Sequence, residues 1–85
     1  MEKKYVMIES ACGLFPVIFP AAMVHSDVAN GLGGKPVSAG YFRTRIEDGK
    51  IKVSCYGDSQ SLKLKPVKDD ELYLEILLNE RDRRS

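Results

Sequence analysis

The sequence predicts an α+β domain: a small antiparallel sheet made of two β-hairpins, with a short central helix and a C-terminal helix, in the order ββαββ(β)α. Three observations lead there. Asp48-Gly49 is the favoured pair for a two-residue type I′ turn, and it joins two stretches of alternating character. A second pair of apolar stretches flanks Cys12-Gly13. An apolar block from Leu72 to Leu78 follows Asp69-Asp70-Glu71, where a helix N-terminus favours negative charge.

In chain order, Lys4 to Ser10 is apolar on both sides at Tyr5, Val6, Met7 and Ile8, and Cys12-Gly13 turns the chain into Leu14, Phe15, Val17, Ile18 and Phe19. That is a hairpin. Pro16 lacks a ladder donor, so the second strand belongs at a sheet edge or carries a bulge, and Pro20 ends it. From Met23 to Leu32 the spacing of Val24, Val28 and Leu32 fits one face of a short helix, with His25 or Ser26 as its cap and Gly31, Gly33 and Gly34 at its close.

The hairpin from Val37 to Gln60 has a derivable register. With Asp48 and Gly49 as the loop, Glu47 faces Lys50, Ile46 faces Ile51, Thr44 faces Val53, Phe42 faces Cys55 and Gly40 faces Gly57. One face then carries Phe42, Thr44, Ile46, Ile51, Val53 and Cys55, and this is the inner one, since a slip of one residue would expose them all. The bare strip at Gly40 and Gly57 predicts the close approach of a helix.

After a polar stretch, Leu62 and Leu64 alternate with lysines before Pro66, a short additional strand. The last segment, Asp69 to Arg83, is read as a helix, although Leu72, Leu74, Ile76 and Leu78 also fit strand alternation. The block lacks β-branched enrichment, and Glu80 stands three and four residues before Arg83 and Arg84, which favours helix. Both helices are expected on one face of the sheet.

At 85 residues the chain holds one domain, 1–85, and buries only about two-thirds of the surface it exposes unfolded. Thirteen Lys and Arg against twelve Asp and Glu leave a net charge of +1, so attraction to polyanions or membranes would need a local patch. No apolar run reaches the ~20 residues of a membrane span, and Met1-Glu2-Lys3-Lys4-Tyr5 does not lead into a signal-peptide core. A cytoplasmic protein with Cys12 and Cys55 reduced is expected.

One candidate surface is the outer face of the second hairpin. It carries Tyr41, Arg43 and Arg45 on one strand and Lys52 and Tyr56 on the other, and aromatic residues interleaved with basic ones are what single-strand nucleic-acid binders use. Arg45 opposite Lys52 needs negative charge nearby, from Glu9, Glu47 or a partner. The other candidate is the C-terminal block, wider than one helix face needs, which points to a protein partner or self-association through Tyr73, Leu74, Leu77 and Leu78. The plain reading of the first is a solvated sheet face, and of the second a sheet that wraps around the helix.

No chemistry is required by the residues. His25, Cys55 and Asp58 have the types of a thiol nucleophile, its base and an orienting carboxylate, but Cys55 is assigned to the inner face. Cys12, Cys55 and His25 lack the paired spacing of zinc modules. Gly31-Leu32-Gly33-Gly34-Lys35 lacks the hydroxyl after Lys that a phosphate loop needs, because Pro36 stands there. The expectation is a non-enzymatic interaction domain that binds a protein or its own copy, with no cofactor, metal or membrane, and nucleic-acid binding as the alternative.

Phe19-Pro20, His25-Ser26-Asp27-Val28-Ala29, Lys35-Pro36-Val37-Ser38-Ala39-Gly40-Tyr41-Phe42, Val53-Ser54-Cys55-Tyr56-Gly57-Asp58-Ser59 and Ser61-Leu62 resemble small uncharacterised proteins encoded in phages and prophages. The resemblance spans roughly half the chain. It implies an origin in a mobile element and no known activity, so it assigns no site residue.

Overall fold

The computed structural model describes residues 3–31 and 34–84, the side chains of 82–84 excepted. Its elements are β1 (Lys3–Ser10), β2 (Gly13–Pro20), α1 (His25–Asn30), β3 (Lys35–Glu47), β4 (Lys50–Tyr56) and α2 (Asp70–Arg84). The strands form one antiparallel sheet in the order β2-β1-β3-β4. The order of elements and the α+β class are those the sequence predicts. The additional strand is reduced to a single bridge between Ser59 and Leu64. Expectations that involve Leu32, Gly33 and the side chains of Arg83 and Arg84 lie outside what is described.

β1 is central, and four consecutive residues in it are buried: Tyr5, Val6, Met7 and Ile8. Successive strand residues point to opposite faces, so such a run needs a cover on each side. Tyr5 and Met7 pack with Phe42, Val53 and Leu74 of α2. Val6 and Ile8 pack with Phe19, Ala39 and Ala29 of α1, and Leu62 and Leu64 join them from the connection after β4. The two helices therefore lie on opposite faces, which corrects the one-sided expectation; the cause is the unbroken apolar run of β1.

The second hairpin has the derived register from Tyr41 opposite Tyr56 to Glu47 opposite Lys50. Asp48 and Gly49 have φ of 52° and 75°, as a type I′ turn requires. Phe42 and Val53 are buried, but Thr44 and Ile46 are exposed, Ile46 by 70%. Pairing with β1 stops at Lys3 opposite Phe42, so among the described residues the hairpin tip runs on past its cover. Gly40 pairs with Tyr5 of β1, and Gly57 lies beyond the ladder with φ of 71°. A Cβ at Gly40 would sit 2.7 Å from Pro66, so the element that approaches is the loop before α2, in place of the helix expected there.

β2 is an edge strand, as Pro16 demands. The other edge, β4, is closed by α2. In this hairpin the amides of Ile51, Val53 and Cys55 point away from β3, because each belongs to a non-hydrogen-bonded pair. All three donate to side chains of α2: Ile51 to Asn79 Oδ1 (2.9 Å), Val53 to Glu75 Oε2 (3.1 Å) and Cys55 to Glu71 Oε2 (2.7 Å). Asn79 Nδ2 also donates to the Ile51 carbonyl (3.1 Å) and, within the helix, to that of Glu75 (2.8 Å).

The start of α2 is anchored by Asp70, a buried carboxylate. It accepts from the Tyr5 hydroxyl (2.6 Å), the Ser38 hydroxyl (2.9 Å) and the Val67 amide (2.9 Å). Burial, and then this hydrogen bond to Asp70, hold the Tyr5 hydroxyl protonated far above the usual range of a phenol.

An Asn79→Ala variant removes both contacts to Ile51. It is expected to lower the unfolding free energy in urea by about 1–2 kcal/mol, whereas a loss below about 0.5 kcal/mol, normal for a solvated surface residue, would contradict the edge contact.

Candidate functional site

The basic and aromatic residues of the second hairpin do share a face, the one that α1 covers further along the sheet. Tyr41 and Tyr56 stack with centroids 5.7 Å apart. Lys4 Nζ lies 5.5 Å from the Tyr41 ring and the Arg43 guanidinium 4.8 Å from that of Tyr56. Arg45 donates to Ser54 Oγ (2.8 Å) and pairs with Glu47 (3.5 Å), while Lys52 lies 3.9 Å from Glu75 of α2. The negative charge that Arg45 and Lys52 require thus comes from this chain. The rings and cations that a nucleotide would use are engaged with one another.

Beside this cluster is an open cleft of about 660 Å³, lined by Lys4, His25, Tyr41, Asp58 and Ser61 among others. Three of its polar side chains, Lys4, His25 and Ser61, hold the fold. His25 is the first residue of α1 and is buried instead of capping it; Nε2 bonds the Gly40 carbonyl (3.0 Å), and the ring meets Phe19 edge to face at 5.1 Å. The cap of α1 comes from far away, as Ser61 Oγ accepts the Ser26 amide (3.1 Å). Lys4 Nζ donates to the Met23 carbonyl (2.9 Å). Burial pushes the His25 pKa below its usual 6.5, against the backbone contact to Gly40, which raises it.

The residues considered for catalysis are not brought together. Cys55 lies on the α2 face, beside Tyr5, and His25 on the opposite one with Phe19. Burial is the main cause that raises the Cys55 thiol to about 11, the reverse of activation. Cys12 is exposed in the turn between β1 and β2. Among the described residues no group of three or more His, Cys, Asp or Glu is placed to hold a metal ion.

The outer side of α2 is different. Leu74 is fully buried and cannot belong to an interface on this helix; Leu77 and Leu78 are half-buried, Leu78 against the same core. Of the four residues expected there, Tyr73 is the exposed one, at 37%. Leu72 (59%) and Ile76 (54%) join it on the outer side. The correction follows from helix geometry: with Leu74 and Leu78 turned inward, positions 72 and 76 fall on the opposite side. Sequence reasoning missed both, together with the stripe of Glu71, Glu75 and Asn79. The signal for that stripe was three polar residues spaced by four inside an apolar block.

Compared with protein-family models, curated proteins and solved structures, the chain has no match. No helix among the described residues is long and apolar enough to cross a membrane.

Because His25 is held neutral by burial, the folded state resists protonation below the unfolded pKa near 6.5. Its contribution to stability is complete above that pH and is lost as pH falls through it. The urea midpoint is expected to drop between about pH 7.5 and pH 5.5, and His25→Gln to flatten that drop. An equal slope in parent and variant would contradict the assignment.

Proposed function

We propose that this chain is a small cytoplasmic binding domain, without chemistry of its own, that engages another protein through the outer side of α2. One observation carries the reading. The helix is apolar on two opposite sides, and the sheet covers only one of them. A soluble helix of this kind ordinarily presents a single apolar stripe. Fully burying an exposed Leu or Ile side chain is worth about 1.5–3 kcal/mol, and Leu72 and Ile76 each retain somewhat more than half of their exposure, so covering both contributes roughly the worth of one such side chain.

The sheet face supports nucleic-acid binding less well, because Tyr41, Tyr56, Lys4 and Arg43 already contact one another and the net charge is only +1. The resemblance to phage and prophage proteins is consistent with a binding role and adds no activity to it.

Site-specific photo-crosslinking in cells tests this reading. A crosslinking residue at Ile76 is expected to yield a discrete protein adduct, and one at Tyr41 none. Adducts from Tyr41 to protein or nucleic acid, with none from Ile76, would move the binding surface to the sheet.

A further inference from the structure

We infer that Pro16 guards the open edge of the sheet: its ring keeps β2 from pairing with the β2 of a second copy, and without it the chain joins itself edge to edge. This is independent of the reading of α2.

The edges of the sheet are protected differently. At β4 the outward amides are answered by α2. β2 has β1 on one side and, among the described residues, no strand on the other. The direction of its backbone groups follows from the hairpin. Ser10 and Gly13 flank the two-residue turn and form a hydrogen-bonded pair, after which bonded and non-bonded pairs alternate. Gly13, Phe15, Val17 and Phe19 therefore present their backbone groups to β1, while Leu14, Pro16, Ile18 and Pro20 present theirs outward. Carried across β1 to β3, the same phase turns the backbone of Tyr41, Arg43 and Arg45 toward β4, as the Asp48-Gly49 turn independently requires.

Both prolines of the strand thus stand at outward positions, where the missing N–H leaves the ladder to β1 intact. Their settings differ. The Pro20 carbonyl accepts from the Met23 amide (3.0 Å), where the chain turns away. Pro16 lies in the middle of the stretch that stays open, Leu14 to Ile18, and among the described residues no backbone bond from another element reaches that stretch.

An edge is ordinarily blunted by shortness, charge, a bulge, a cover or proline. β2 is eight residues long, carries no charged side chain and pairs with β1 without a bulge. Leu14 and Phe15 remain exposed, by 36% and 39%. Apart from proline, the strand has the apolar, uncharged composition that stacks into β-assemblies.

Two copies of β2 laid antiparallel about position 16 set Leu14 against Ile18 of the partner subunit and position 16 against itself. The two outer pairs could each exchange two bonds. At the centre, two prolines offer no donor, and their rings fill the space in which an N–H would meet a carbonyl. Valine there restores both central bonds and removes the obstacle. Because α2 closes the other edge, the assembly then stops at two copies.

Hydrogen exchange on the full chain across a dilution series tests the inference. In the parent, the Leu14 and Ile18 amides should exchange fast at every concentration. In Pro16→Val these amides, and the one gained at position 16, should slow by about tenfold or more as concentration rises, with a dimer in sedimentation. Adding Leu14→Pro, which returns a ring to an outward position, should abolish both effects. Fast exchange of Leu14 and Ile18 at all concentrations in Pro16→Val, with Val6 and Ile8 still protected, would overturn the inference. So would loss of protection at Val6 and Ile8 in that variant at high dilution, since the ring would then be a support of the core. A dimer of Pro16→Val that slows amides on α2 and leaves those of β2 fast would place the self-contact on the helix and overturn it as well.

Discussion

The contact between α2 and the free edge of β4 orders the rest of this molecule. Two residues of strand advance by about 6.7 Å and four residues of helix by about 6 Å, so a helix with an acceptor at every fourth position can answer every outward amide of a strand. Glu71, Glu75 and Asn79 do so for Cys55, Val53 and Ile51. The small mismatch accumulates along the ladder and is taken up by side chains of different reach, with the shorter Asn at one end. In effect the helix supplies the missing neighbour of the edge strand. It thereby removes the row of unpaired amides through which sheets aggregate.

That contact also determines the rotation of α2 about its axis. With the polar stripe directed at β4, Leu74 and Leu78 turn into the core and Leu72 and Ile76 turn to solvent. Asp70, held by Tyr5, Ser38 and the Val67 amide, sets where the helix begins. On the opposite face α1 is too short to be stable alone. It is kept in place by Ala29 in the core, by the buried His25 and by the Ser61 hydroxyl at its first turn. Both covers are thus fastened to β1 and β3 by buried polar contacts as well as by apolar ones.

Local signals in the sequence were enough for the two hairpins, the turn at Asp48-Gly49, the edge position of β2 and the existence of both helices, because each depends on residues close in the chain. What was not legible depends on distant partners. The apolar run Tyr5 to Ile8 was visible, but that it requires two covers follows only once β1 is known to be central. Asp69 and Asp70 look alike as helix-start acids, yet one is exposed and the other is buried among three donors. Which residues share the Tyr41 and Tyr56 face was assigned correctly from register, while the cover that α1 lays on that face, and its engagement with Lys4 and His25, could not be read from spacing. On α2, residue type identified an excess of apolar side chains, and only the direction of β4 decided which of them remain outside.

The central claim is that helix side chains complete the sheet at β4, and native-state hydrogen exchange tests it most directly. The amides of Ile51, Val53 and Cys55 should exchange nearly as slowly as those of Lys52 and Ser54, which point at β3. If those three exchange like an open sheet edge while their neighbours remain protected, α2 does not close that edge, and the assignment of its outer side fails with it.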